Sequence, residues 1–204
     1  MKILHSRRKR KKEKLLERMI EWVVKKEKTN VLFELLKTNK RGVQIKILEV
    51  ISRQKRISFE TIYDMPDEVA PVLEKNRKLK AQIWSKLSIL ELSPIRLLNL
   101  IKFRCLFREE AINYALKKLK QGSLRDLYAG EIAKEIIIFA QNQQTIEAAV
   151  KVIGNLQLSS FELGEIIRKR PEIEEIRRLK RQAEKKEDES FRLVLKIQKV
   201  IDKI

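Results

Sequence analysis

The chain has 204 residues; 43% of them are apolar, 47 are Lys or Arg and 28 are Asp or Glu, which gives a formal net charge of +19. A lone cysteine, Cys105, and a lone histidine, His5, exclude an internal disulfide and a Cys/His metal site. Only five Gly and four Pro occur, so the composition favours long helices over a sheet with many tight turns. We predict an all-α protein with no metal, cofactor or small-molecule ligand.

The excess positive charge lies at the start of the chain. Residues 1–57 hold 19 Lys/Arg against 6 Asp/Glu, an excess of 13, whereas residues 58–104, 105–170 and 171–204 each carry an excess of 2. A concentrated positive field attracts phosphate backbones without reading their sequence. Nucleic acid is therefore the leading partner, ahead of an anionic membrane surface or an acidic protein.

The first predicted helix runs from about residue 6 to residue 28, with Ser6 as its cap. On a helical wheel, one arc is apolar and is expected to anchor the helix; it contains Leu15, Leu16, Met19, Ile20 and Val23. The opposite arc is a basic stripe formed by Arg7, Lys11, Lys14, Arg18 and Lys25. Like charges at these spacings repel one another unless an anion neutralises them, so the stripe is a candidate phosphate-binding face. Trp22, at the edge of the apolar arc, is a candidate for base stacking.

Further helices follow in chain order, separated by short breaks that carry start signals. Ser93-Pro94 matches a cap followed by proline in the first turn, and Ser159 with Glu162, like Ser123 with Asp126, has the spacing of a capping box. The predicted helices cover residues 29–37, 42–54, short pieces within 58–77, 79–92, 94–103, 107–120, 124–141 with a break near Gly130, 144–156 and 159–169.

The end of the chain changes character. Residues 172–187 are highly charged and predict an exposed helix, and residues 190–204 predict a separate apolar helix with Val194, Ile197, Ile201 and Ile204 at alternating spacings of four and three. We expect this last helix to pack back on the body; a partner-binding or dimerising helix is the alternative. The predicted organisation is a basic helix at 1–28, a helical body at 29–170 and this pair at 171–204.

About ten helices joined by short turns favour antiparallel pairs, and such pairs stack into α-solenoids. Over residues 29–170 the succession of pairs resembles HEAT-type or armadillo-type repeats, although no motif recurs at a fixed period. The resemblance implies a curved array with an extended binding surface. An irregular helical bundle is the alternative architecture.

Two interhelical turns extend the basic character of the N-terminal region. The first carries Lys37, Lys40 and Arg41, and the second carries Arg53, Lys55 and Arg56. Alternate turns of a solenoid often share one edge, so these two consecutive clusters either lie on opposite edges or join the first helix in one basic band.

Catalytic patterns are absent from the sequence. No glycine-rich phosphate loop or nucleophile-histidine pair occurs, and Asp64, Asp67 and Glu68 read as helix-start carboxylates rather than as Mg²⁺ ligands. No apolar run is long enough to cross a membrane, and a cytoplasmic location is expected. We predict a non-catalytic protein that contacts nucleic-acid backbones through Arg7, Arg8, Lys11, Lys14, Arg18, Trp22, Lys25, Lys37, Lys40, Arg41, Arg53, Lys55 and Arg56.

Two other functions are compatible with the sequence. One is a scaffold or adaptor subunit that holds a protein partner through residues 172–204. The other follows from the resemblance to HEAT repeats, because some HEAT-like proteins resemble DNA glycosylases that use aromatic residues and a carboxylate in a basic groove.

Overall fold

The computed structural model describes residues 14–23, 29–37, 40–87, 92–104, 106–124, 126–156 and 158–201. These residues form an all-α fold, as predicted, with twelve packed α-helices, a short 3₁₀ helix at Asp67–Val69 and one isolated backbone bridge between Ile57 and Leu87. In chain order the helices are α1 (residues 14–23), α2 (Thr29–Lys37), α3 (Arg41–Ser52), α4 (Phe59–Tyr63), α5 (Ala70–Lys75), α6 (Arg77–Lys86), α7 (Pro94–Phe103), α8 (Arg108–Lys120), α9 (Asp126–Phe139), α10 (Gln143–Asn155), α11 (Ser160–Lys169) and α12 (Glu174–Ile201).

The chain divides into two compact units. The first unit contains the described residues up to Arg96 together with those in 103–108, and the second contains residues 97–102 together with the described residues from Glu109 onward.

In the first unit, α3 is the central helix and packs against α2, α5 and α6. The inward face of α3 carries Ile47, Val50 and Ile51, which are buried, and Val43, which is half-buried. Gln44 is also buried, and its amide donates to the carbonyl oxygen of Leu36 at 2.8 Å. This bond satisfies a carbonyl in the last turn of α2, which has no partner within its own helix.

The predicted helix 79–92 is shorter than expected, because α6 ends at Lys86. Leu87 adopts an extended backbone and is buried, and the Ile57 amide donates to the Lys86 carbonyl at 2.9 Å. A tertiary contact between two distant segments therefore ends the helix.

In the second unit, α9 packs against α10 and α11, and α12 packs against α11 and α10. Ile132, Ile136, Ile146 and Ile166 are buried at the centre of this unit.

Arg170 secures the end of α9 in the second unit. Its guanidinium donates to the Ile137 carbonyl at 3.0 Å and to the Ala140 carbonyl. Arg170 directly follows the last residue of α11, but its guanidinium caps the neighbouring helix α9.

The expected break near Gly130 does not occur, since α9 is continuous from Asp126 to Phe139. A Cβ on Gly130 would come within 2.9 Å of the Leu158 side chain, so glycine there permits close packing rather than a turn. The glycine that does end a helix is Gly122, with φ +61° after α8. Its amide donates to Leu119 and the Ser123 amide donates to Lys118, which is the Schellman arrangement.

The predicted start signals are confirmed at two helices. The Ser93 hydroxyl accepts from the Arg96 amide at 3.3 Å, and Ser159 forms a full capping box with Glu162 at the start of α11. The Ser123 hydroxyl donates to the Lys118 carbonyl at 3.1 Å in the turn after α8, and its capping box with Asp126 stays a prediction because residue 125 and the Asp126 side chain lie outside what the structure describes.

The two helices predicted at 172–187 and 190–204 are one helix, α12, so the prediction of a break between them is wrong. Phe191, Leu193, Val194 and Ile197 are exposed, so this apolar segment does not pack back on the body at the described positions. The helix continues because residues 174–201 contain neither Gly nor Pro and consist largely of strong helix formers. The boundaries 1–28, 29–170 and 171–204 stay a prediction.

Among the helices that the structure describes, none is both long enough and apolar enough to traverse a bilayer.

Candidate functional site

Helix α1 is held on the first unit by fewer side chains than the helical wheel predicted. Ile20 is 1% exposed, and Leu16 and Val23 are half-buried. Leu15 and Met19 were expected to be buried but are 60% and 59% exposed. The anchored face of α1 is thus narrow, because Ile20 is buried while its neighbours Leu15 and Met19 are exposed.

An ion pair between helices completes the attachment of α1. The Arg53 guanidinium, just after α3, donates to the Glu17 carboxylate at 2.8 Å. This hydrogen bond lowers the pKa of Glu17 and raises the pKa of Arg53. Glu21 and Glu49 also lie close enough to favour the charge of Arg53. Arg53 was predicted as a phosphate contact, but within this structure its charge positions α1.

The described cations of the α1 basic stripe are Lys14 and Arg18, and both are exposed. Lys14 lies near Glu17, where its charge helps to lower the pKa of that carboxyl group. The other predicted contacts on this helix, Arg7, Arg8, Lys11 and Lys25, lie outside the described residues.

The two basic turns do not lie together. Lys40 and Arg41 are exposed at the start of α3, whereas Arg53 follows its last residue, about 18 Å away along the helix axis. Lys37 donates to Glu34 at 2.7 Å, and this bond raises the pKa of Lys37. The bond between Glu17 and Arg53 joins α1 to the second turn.

A polar groove between α3 and α6 adjoins the second turn. Its walls carry cations and side chains that donate hydrogen bonds, namely Ser52, Arg53, Asn76, Lys78, Gln82, Ser85 and Lys86, with Ile45, Glu49 and Leu79 completing the lining. The bond from the Ile57 amide to the Lys86 carbonyl brings the exposed residues Lys55 and Arg56 next to this groove. Arg53, Lys78 and Lys86 therefore line one groove of the first unit, and Lys55 and Arg56 follow Arg53 in the chain.

Sequence reasoning missed the α6 side of this groove. Lys78, Gln82 and Lys86 recur every four residues and form one ridge of α6, which was the available signal. The prediction placed the start of this helix at residue 79, whereas α6 begins at Arg77 and Lys78 lies in its first turn.

The two tryptophans differ in environment. Trp22 on α1 is 54% exposed, next to the cations of the stripe. Trp84 is partly buried and stacks on Phe107, with ring centroids 6.1 Å apart. Of the two, Trp22 alone presents a large exposed surface on which a base can stack.

The acidic residues 64–68 do not form a metal site. Asp67 lies 3.8 Å from the Arg104 guanidinium, which also donates to the Met65 carbonyl. In the part of the chain that the structure describes, no group of three His, Cys, Asp or Glu side chains is arranged to hold a metal ion.

The second unit contains a different kind of charged cluster. Lys134 is buried in α9 and donates to Glu131 at 2.9 Å and to Glu165 of α11 at 3.0 Å. Burial alone would lower the pKa of Lys134, but the two hydrogen bonds outweigh it and the pKa is raised; the same contact lowers the pKa of Glu165. This cluster ties α9 to α11 through the buried Lys134, while the Glu131 and Glu165 side chains stay partly exposed.

No protein-family model matches the chain, and no curated protein and no solved structure shows significant similarity to it.

Proposed function

We propose that this protein binds nucleic acid, without catalysis, through phosphate contacts on the first unit. The proposal is carried by one observation: the Glu17–Arg53 ion pair holds α1 beside the α3–α6 groove, so that exposed cations from α1, from residues 55–56 and from α6 lie on the same unit. Arg53 itself is the positioning residue of this surface.

The chemistry of the groove suits a sugar-phosphate backbone. Lysine and arginine side chains provide salt-dependent attraction. The side-chain amide of Gln82, and the second N–H of the Asn76 amide whose other N–H donates to the Val72 carbonyl, donate further hydrogen bonds to phosphate oxygens. Contacts of this kind position a backbone but read little sequence. An exposed Trp22 adds a stacking surface for an unpaired base.

The packed helix pairs support a helical-repeat architecture of the HEAT type as part of this proposal. In the second unit α9 packs with α10 and α11 packs with α12, and in the first α2 packs with α3. Repeat arrays of this kind present extended surfaces to long ligands.

The test is binding of fluorescein-labelled single-stranded and duplex DNA and RNA, followed by fluorescence anisotropy. The test variant replaces four exposed cations of the first unit by glutamine: Lys14, Arg18, Lys55 and Arg56. The control variant removes the same number of charges from exposed sites of the second unit: Lys117, Lys120, Lys151 and Lys169.

We expect the test variant to lose most of its affinity and the control variant to keep it. Both variants lower the net charge by four, but only the test variant removes the proposed phosphate contacts. Equal losses in the two variants would reduce the effect to net charge and contradict the proposal. A scaffold is distinguished by affinity purification, since nuclease treatment removes only those partners that nucleic acid bridges.

A further inference from the structure

The most prominent apolar surface among the described residues lies on α12. Phe191, Leu193, Val194 and Ile197 are all more than half exposed, and every described side chain from residue 184 to residue 198 is exposed. Large apolar side chains grouped in this way are uncommon on a protein surface that has no partner.

This surface continues a face of α12 that already packs against a helix. The backbone amide and the hydroxyl of Ser160, the first residue of α11, donate to the Glu187 carboxylate at 2.9 and 2.7 Å, and these bonds lower the pKa of Glu187. Gly164 of α11 faces Lys180, so α11 and α12 run antiparallel. Beyond Glu187, residues 188–201 extend about 21 Å past the N-terminus of α11.

The helical repeat places the exposed side chains on that same face. Val194 and Ile197 follow Ile176 and Leu179 by eighteen residues each, which is about five turns of an α-helix. Ile176 is fully buried and Leu179 is half-buried against α11. The same face therefore packs against a helix in the first half of α12 and is exposed in the second half.

We propose that this exposed face binds the same face of a second copy of the chain. The charges favour this occupant: Arg192 and Lys196 are exposed on the side of α12 opposite to Val194 and Ile197, so two copies that meet through the apolar face keep these cations apart. Leu193, which lies beside Ile197 on the helix surface, is uncharged and widens the apolar contact.

Other occupants fit this surface less well. An acidic partner helix would gain little, because the cations do not border the apolar face. A flat membrane surface would meet α11, which lies on the same side of α12 as Val194 and Ile197. Helix α12 of a second copy fits beside residues 188–201, past the N-terminus of α11.

The test is sedimentation velocity of the nuclease-treated full chain at high salt, from about 1 to 100 μM, a range that detects micromolar dissociation constants. Glutamine is a good helix former, so Val194→Gln with Ile197→Gln removes the apolar face and leaves the helix intact. The matched control is Leu195→Gln, which removes an exposed apolar side chain about a quarter turn away from Val194. Circular dichroism checks that both variants fold.

We expect the wild-type chain to self-associate and the double variant to associate at least about 100-fold more weakly, since each dimer loses four buried apolar side chains. The Leu195→Gln variant is expected to associate like the wild type. A wild-type chain that stays monomeric would overturn the proposal, as would association that survives the double substitution. A monomer that co-sediments with phosphatidylserine-containing vesicles through Val194 and Ile197 would replace the second copy by a lipid surface.

Discussion

Replacement of Ile20 by alanine tests how α1 is held on the first unit. Ile20 is the most buried described side chain of α1, and the substitution removes three carbon atoms from a site that is 1% exposed. At about 0.8 kcal/mol per buried methylene, the loss is roughly 2.5 kcal/mol, with a further contribution from the cavity. Leu16 and Val23, the other inward side chains described on α1, are only half-buried, so α1 depends on the Ile20 contact to stay attached to the first unit. The population with α1 detached should therefore rise about 70-fold.

Hydrogen–deuterium exchange with mass spectrometry measures this population directly. In the Ile20→Ala variant, amide exchange in α1 is expected to accelerate strongly, while exchange in α3 and α9 stays unchanged. The matched control is Met19→Ala, which truncates a neighbouring side chain that is mostly exposed and should leave the exchange of α1 unaltered. Unchanged exchange of α1 in the Ile20→Ala variant, or equal acceleration in the control, would refute the reasoning.

Two further predictions concern the second unit. Arg170→Ala removes the donor to two carbonyls at the end of α9 and should lower the free energy of unfolding by about 2 to 3 kcal/mol, as measured by urea denaturation; Lys169→Ala, an exposed neighbour, should have little effect. The lowered pKa of Glu165 means that its ion pair with Lys134 stabilises the fold above its ordinary pKa of 4.5, and that this contribution is lost as the pH falls through the lowered value. Thermal melts between pH 6 and pH 3 should thus show a flatter acid dependence for Glu165→Gln than for the wild type, and equal slopes would contradict this assignment.

Helices with strong local signals were predictable from the sequence. The start of α11 is specified by the Ser159–Glu162 capping box, and α3 by the period of its buried residues. Their boundaries agree with the prediction to within two residues because the signals act within one turn of the backbone.

Errors arose where a distant residue decides the local structure. The end of α6 depends on the bridge between Leu87 and Ile57, thirty residues earlier, and the role of Gly130 depends on Leu158. In α12, intrahelical ion pairs such as Arg178 with Glu175 stabilise the charged segment, which was predicted as a helix separate from the apolar segment after it.

The candidate site was likewise predictable where local sequence decides it and not where distant residues meet. The concentration of charge before residue 57 is visible in the sequence, and so is the exposed position of Lys14 and Arg18 on their helix. The pairing of Glu17 with Arg53 and the groove beside α6 are not visible, because they depend on how α1, α3 and α6 pack. The contact between α1 and the second basic turn likewise depends on tertiary packing.

The salt dependence of nucleic-acid binding is the most direct test of phosphate binding by the exposed cations of the first unit. Anisotropy titrations at several salt concentrations give the slope of the logarithm of the binding constant against the logarithm of the salt concentration. Each phosphate contact contributes about −0.9 to this slope on duplex DNA, so removing the four contacts assigned to Lys14, Arg18, Lys55 and Arg56 should reduce its magnitude by about 3 to 4. We predict a steep negative slope for the wild type and this reduction in the variant. Binding that is absent in the wild type, or a slope that these four substitutions leave unchanged, would contradict it.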